Sequence, residues 1–137
     1  MRTGVLIAAV ALTGLAGVAN ADVMKFSSVL RGRYESPPTT SKGWGAFDAE
    51  VDTSSGQLDY DLTLKDLPRI TSAELQGKGA KAETIPLPVQ GGAGAIHGSV
   101  HLSPAQVQDL NDGRLFLNVE TSADPAGAIG GLVNRED

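Results

Sequence analysis

From Phe47 to Leu64 the chain alternates apolar and polar residues so strictly that no helix can accommodate the pattern. Phe47, Ala49 and Val51 alternate with Asp48, Glu50 and Asp52. After Thr53-Ser54-Ser55-Gly56, the residues Leu58, Tyr60, Leu62 and Leu64 alternate with Asp59, Asp61 and Thr63. A period of two puts every apolar residue of an extended strand on one face. Four turn-forming residues between two such runs read as a β-hairpin. One face is then wet and the other buried, as in an antiparallel sheet. In register, Glu50 faces Asp59 and Asp48 faces Asp61, and like charges directly opposite are destabilising.

The remaining sequence fits the same class. A first strand is expected near Lys25–Tyr34, with Phe26, Leu30 and Tyr34 on one face and Lys25, Val29, Arg31 and Arg33 on the other. Glu35-Ser36-Pro37-Pro38 ends it, because proline cannot donate to a strand ladder. Further strands are expected at Ile70–Gln76, Ile85–Val89, Ala95–Leu102, Arg114–Thr121 and Ile129–Val133, and Pro86 and Pro88 confine the second of these to an edge. Ser103-Pro104 supplies an N-cap followed by proline at the first helical position, so Ser103–Asp112 reads as one short helix ending at Gly113. Many short strands separated by turns point to a β-sandwich or barrel.

Ahead of this domain, Arg2, the apolar run Val5–Val18 and Ala19-Asn20-Ala21 have the form of a cleavable secretory signal, with cleavage expected before Asp22. The apolar run is shorter than the roughly 20 residues that span a bilayer. Residues 22–137 are then one domain, and export to a periplasmic or extracellular space is expected. The chain carries 11 Lys+Arg against 16 Asp+Glu, a net charge of −5, which argues against nucleic acid or an anionic membrane as partner. It has no cysteine, which excludes disulfides, thiol catalysis and thiolate metal sites.

The order of motifs resembles the CHRD domain. Glu35-Ser36-Pro37-Pro38, Thr40 and Gly43–Phe47 resemble its E-x-P-P … T … G-x-A-x-F opening. Leu58–Leu64 with Leu67 resembles its L-x-Y-x-L strand, and Leu102-Ser103-Pro104-Ala105-Gln106 with Leu110 its L-T-x-A-Q helix. Gly113–Thr121 and Pro125–Gly131 are similar to its G-x-L-Y-V-N-V-H-T and P-x-G-E-I-R-G motifs. The resemblance implies an antiparallel Greek-key β-sandwich of superoxide-dismutase-like architecture with one short helix. It also implies an exported binding or scaffolding domain, without catalysis, whose partner is a protein or another extracellular ligand.

The departures from that pattern bear on the alternative, a copper or zinc protein or a dismutase-like enzyme. Where the resemblance implies A-A-H-I-H-G, this chain has Ser72-Ala73-Glu74-Leu75-Gln76-Gly77, and Glu120 replaces the histidine of the later strand. His-x-His on a strand sets two imidazoles on one face about 6–7 Å apart, suited to one metal. Glu74, Gln76 and Glu120 offer only hard oxygen and amide donors, so neither metal nor cofactor is expected. Ala128 and Gly130 replace an acidic and a basic residue. The two histidines present, His97 and His101, would stand about 13 Å apart on a strand, too far for one ion. No nucleophile elbow surrounds Ser99 or Ser103, and Gly91-Gly92-Ala93-Gly94 lacks the Lys-Ser/Thr of a phosphate loop. The acidic hairpin face reads either as a calcium or cationic-partner site or as a solvated face neutralised by Lys25, Arg31 and Arg33; neutralisation is the expectation. Trp44, in the loop before the hairpin, is expected to plug the core at one end of the sandwich.

Overall fold

The computed structural model describes residues 22–77, 83–89 and 92–136, so the signal segment and Gly91 of the glycine-rich run lie outside the described residues. Strand β1 (Val23–Arg31) is followed by a 3₁₀ turn at Gly32–Tyr34 and then by the hairpin strands β2 (Trp44–Asp52) and β3 (Gln57–Lys65). Next come β4 (Ile70–Gly77), β5 (Thr84–Leu87), β6 (Ala95–His101), helix α1 (Pro104–Asn111), β7 (Leu115–Thr121), β8 (Ile129–Leu132) and β9 (Asn134–Glu136). The strands pair antiparallel in one nine-stranded sheet of order β5-β4-β7-β8-β1-β2-β3-β6, with β9 also on β1. The sheet curls until its two edge strands, β5 and β6, approach each other, giving a nearly closed, barrel-like body. Among the described residues, the all-β antiparallel class with one short α-helix is as the sequence implies.

The alternation of the hairpin sets the core. Phe47, Ala49, Val51, Leu58, Tyr60, Leu62 and Leu64 are all buried, and the Phe47 and Tyr60 rings meet at 5.8 Å between centroids. Phe26 and Leu30 of β1 join them, as do Leu75 of β4 and Leu115, Leu117 and Val119 of β7. Burying each such side chain contributes about 1.5–3 kcal/mol. The helix forms where expected. Ser103 Oγ accepts from the Gln106 amide at 3.1 Å and Gln106 Oε1 accepts from the Ser103 amide at 2.8 Å, a complete capping box. Leu110 is its buried residue. Strand β5, which carries Pro86, pairs on one side only and is an edge.

Three expectations are corrected. The first strand stops at Arg31, three residues short, and Tyr34 is 44% exposed instead of buried. The chain bends there because Gly32 packs so tightly under Thr39 that a side chain would meet its hydroxyl at 2.5 Å, and the Gly32 carbonyl gathers the Glu35 and Thr39 amides. Trp44 is the first residue of β2 and is half-buried, not a core plug, because the Arg31 guanidinium, its neighbour in register, covers the ring at 5.5 Å. The C-terminal segment holds a second strand, β9, whose Asn134–Glu136 pair with Ser27–Lys25.

Candidate functional site

The three positions singled out by the missing histidines do come together. Strand β4 turns Ser72, Glu74 and Gln76 away from the core, and β7 does the same with Phe116, Asn118 and Glu120. Pairing places Ser72 opposite Glu120 and Glu74 opposite Asn118. Gln76 donates to Glu74 Oε1 at 2.9 Å, and the Ser72 hydroxyl donates to Glu120 Oε1. Burial raises the Glu120 pKa, the Ser72 hydrogen bond opposes that rise, and contact with the Glu74 carboxyl adds to it. Glu74 and Glu120 therefore form a carboxyl pair across two strands.

A third carboxyl reaches the same surface from the turn after β1. Glu35 lies over β7 and β8, where Gly127 and Gly130 leave room for it. A side chain at Gly130 would meet Glu35 Oε2 and the Phe116 ring at 2.5 Å, and one at Gly127 would meet both Glu35 Oε1 and Asn118 Oδ1. Asn118 is only 2% exposed. Its amide nitrogen donates to Glu120 Oε2 at 3.0 Å and to the Ala126 carbonyl at 3.1 Å, so its oxygen is directed to the other side, where it has no donor. Glu35 Oε2 is likewise buried without a partner. Burial, and then the negative charge of Glu120, push the Glu35 pKa up to about 7. Neither residue stood out in the sequence as functional. Glu35 read as part of a strand breaker, and the available signal for Asn118 was a lone amide inside the apolar run of β7.

This arrangement does not fit copper or zinc. The donors are carboxylate and amide oxygens, which are poor ligands for Cu(I) and fair ones for Zn²⁺. Among the described residues, no three His, Asp or Glu side chains converge to hold a metal ion. His97 and His101 lie elsewhere, exposed on β6, where His97 Nδ1 contacts Asp61 and His101 pairs with Gln57.

The hairpin's outer face is the other candidate. Pairing sets Glu50 opposite Asp59 and Asp48 opposite Asp61, as expected. Strand β1 adds Lys25 beside Glu50, and β6 adds His97 beside Asp61. The expected neutralisation is incomplete, because Arg31 turns to Trp44 and Arg33 stacks on Tyr34 at 5.2 Å. Lys25 alone of the three basic residues remains among Asp48, Glu50, Asp59, Asp61 and Glu136, which line an open depression of about 750 Å³.

Comparison with known proteins gives one match. A family model described as the CHRD domain covers residues 26–133. No curated protein and no solved structure matches the chain.

Proposed function

The chain belongs to the CHRD domain family, and from that premise we propose that it is an exported, non-catalytic binding domain whose contact surface is the acidic outer face of β1, β2, β3 and β6. The observation that carries this reading is the charge of that face. Five carboxylates line its depression together with Lys25 and His97, while the two arginines expected to balance them are held on aromatic rings. Such a face attracts a cationic protein surface and raises its rate of encounter, an effect that weakens as salt screens it. The pairing of the strands beneath it sets which charges stand side by side. Export is supported by the signal-like start of the sequence.

Polylysine serves as a probe, with polyaspartate as its control. Binding to polylysine should fall steeply with salt. It should be largely lost in Asp48→Asn/Glu50→Gln/Asp59→Asn/Asp61→Asn. A variant that removes four acids elsewhere, Asp22→Asn/Asp66→Asn/Asp109→Asn/Asp112→Asn, should keep it. Equal weakening by the two variants means that net charge alone drives binding and rejects the assigned face.

A further inference from the structure

The segment that follows the 3₁₀ turn crosses the outside of β7 and β8 as a strap. Its far end is fixed by the Thr39 hydroxyl, which donates to the Ala128 carbonyl at 2.6 Å, and by the Thr39 amide, which donates to Gly32 at 2.9 Å. Its near end is Glu35, whose carboxyl rests on bare glycine backbone beside Asn118. The contacts there are short of one hydrogen. Glu35 Oε2 and Asn118 Oδ1 are both acceptors, both are buried, and neither has a donor among the described residues. Rotating the Asn118 amide does not repair this, since its nitrogen already serves Glu120 and Ala126, and an oxygen placed there would face two acceptors. The Glu35 oxygen that borders Asn118 Oδ1 across Gly127 is Oε1, whereas Oε2 lies against Gly130 and Phe116. A proton on Oε1 supplies the donor that Asn118 Oδ1 lacks and removes the charge from the buried Oε2.

We propose that Glu35 is a proton-operated latch: as the neutral acid it donates to Asn118 Oδ1 and holds the strap down, and on ionising it leaves its seat and opens the groove between the strap and the Ala123–Gly127 loop. That groove, of about 410 Å³, is walled by Pro37 and Pro38 on one side and by Asp124, Pro125 and Gly127 on the other. The acids facing the latch oppose its ionisation. Glu120 faces it from β7, with Glu74 of β4 behind, and Asp124 lies on the opposite wall. Arg31 of β1, the register neighbour of Gly130, is the base whose charge would favour ionisation; its guanidinium lies on the Trp44 ring and its buried Nε has no hydrogen-bond partner among the described residues. Arg33, on the strap's own turn, is held by Tyr34. The Glu35 pKa raised to about 7 sets the working range. Because the closed state prefers the protonated form, the latch is fully engaged below the ordinary carboxyl range and is released as pH rises through about 7. This rests on the placement of Glu35 and Asn118 around Gly127 and is independent of the acidic face.

The test follows the Glu35 side-chain carboxyl by nuclear magnetic resonance in the whole chain, from about pH 4 to about pH 9, together with amide hydrogen exchange. The Glu35 amide, which donates to Gly32, reports the near end of the strap. The carboxyl should titrate near neutrality. After correction for the intrinsic exchange rate, protection of the Glu35 amide should fall about tenfold or more over the same range, while that of Leu117 in β7 stays constant. Glu35→Gln supplies a donor without a charge and should remain latched at every pH. Glu120→Gln removes the neighbouring negative charge and should move the Glu35 titration to lower pH. An ordinary carboxyl titration of Glu35, protection indifferent to its ionisation, or the same pH dependence in Glu35→Gln overturns the proposal.

Discussion

Tyr60 lies directly opposite Gly98 in the pairing of β3 with β6, and its ring fills the space that any side chain at position 98 would need. A Cβ there would fall 2.6 Å from Tyr60 Cζ. The Tyr60 hydroxyl continues past the glycine and donates to the Pro88 carbonyl, just beyond β5. One side chain thus ties the two edges of the sheet together. Gly98→Ala should cost about 1–3 kcal/mol by overpacking. Tyr60→Phe should cost about 1 kcal/mol by removing the donor to Pro88. Burial pushes the Tyr60 phenol up to about 12. Stability that depends on the neutral phenol is therefore present below pH 10 and is lost as pH rises through about 12. Urea unfolding at neutral and alkaline pH checks all three, and Tyr60→Phe should flatten the alkaline loss.

Leu62 is fully buried beside the exposed Asp61 on β3, so the two faces of one strand can be tested with neighbouring substitutions. Leu62→Asp should unfold the domain, since an unpaired charge in the core costs on the order of 4 kcal/mol. Asp61→Asn should change stability by no more than about 0.5 kcal/mol. Circular dichroism and urea titration of the two variants check the assignment of faces; a normally folded Leu62→Asp means the hairpin register is displaced by one residue.

The facing carboxylates Glu50 and Asp59 should repel each other measurably. Asp59→Lys replaces the repulsion with an attraction and should stabilise the domain by about 0.5 kcal/mol at low salt. The gain should shrink in about 1 M salt, where charges are screened beyond about 3 Å. Paired denaturation curves at the two salt concentrations make the measurement, and the same substitution should weaken polylysine binding.

Ser103→Ala removes half of the capping box at the start of α1 and should cost about 1 kcal/mol. Loss of a cap destabilises without altering the fold, so the thermal midpoint should drop while the circular dichroism spectrum keeps its shape. An unchanged midpoint would show that the packing of Leu110 alone holds the helix.

With oxygen donors in place of imidazoles at Glu74, Gln76 and Glu120, calorimetric titration should show no submicromolar affinity for Cu²⁺ or Zn²⁺. Tight binding that vanishes in Glu74→Ala/Glu120→Ala would restore the metal-protein reading.

Some of this molecule is written locally in the chain. The period-two run fixes two strands, their buried faces and the Glu50–Asp59 and Asp48–Asp61 oppositions, because side-chain direction in a strand depends only on parity. Ser103, Pro104 and Gln106 start the helix through contacts within one turn, and Pro86 confines its strand to an edge by lacking an amide hydrogen. The positions Glu74, Gln76 and Glu120 could be picked out one by one for the same reason. Their assembly could not. It takes the pairing of β4 with β7, 48 residues apart at Ser72 and Glu120. The seat of Glu35 needs bare backbone at Gly127 and Gly130 and an amide oriented by Ala126, and Arg31 leaves the acidic face only because β1 pairs with the start of β2 beside Trp44. Parity is a property of neighbours in sequence, whereas closure of the sheet decides which distant residues cover its outer surface, and that closure decides which carboxyl is left without a partner.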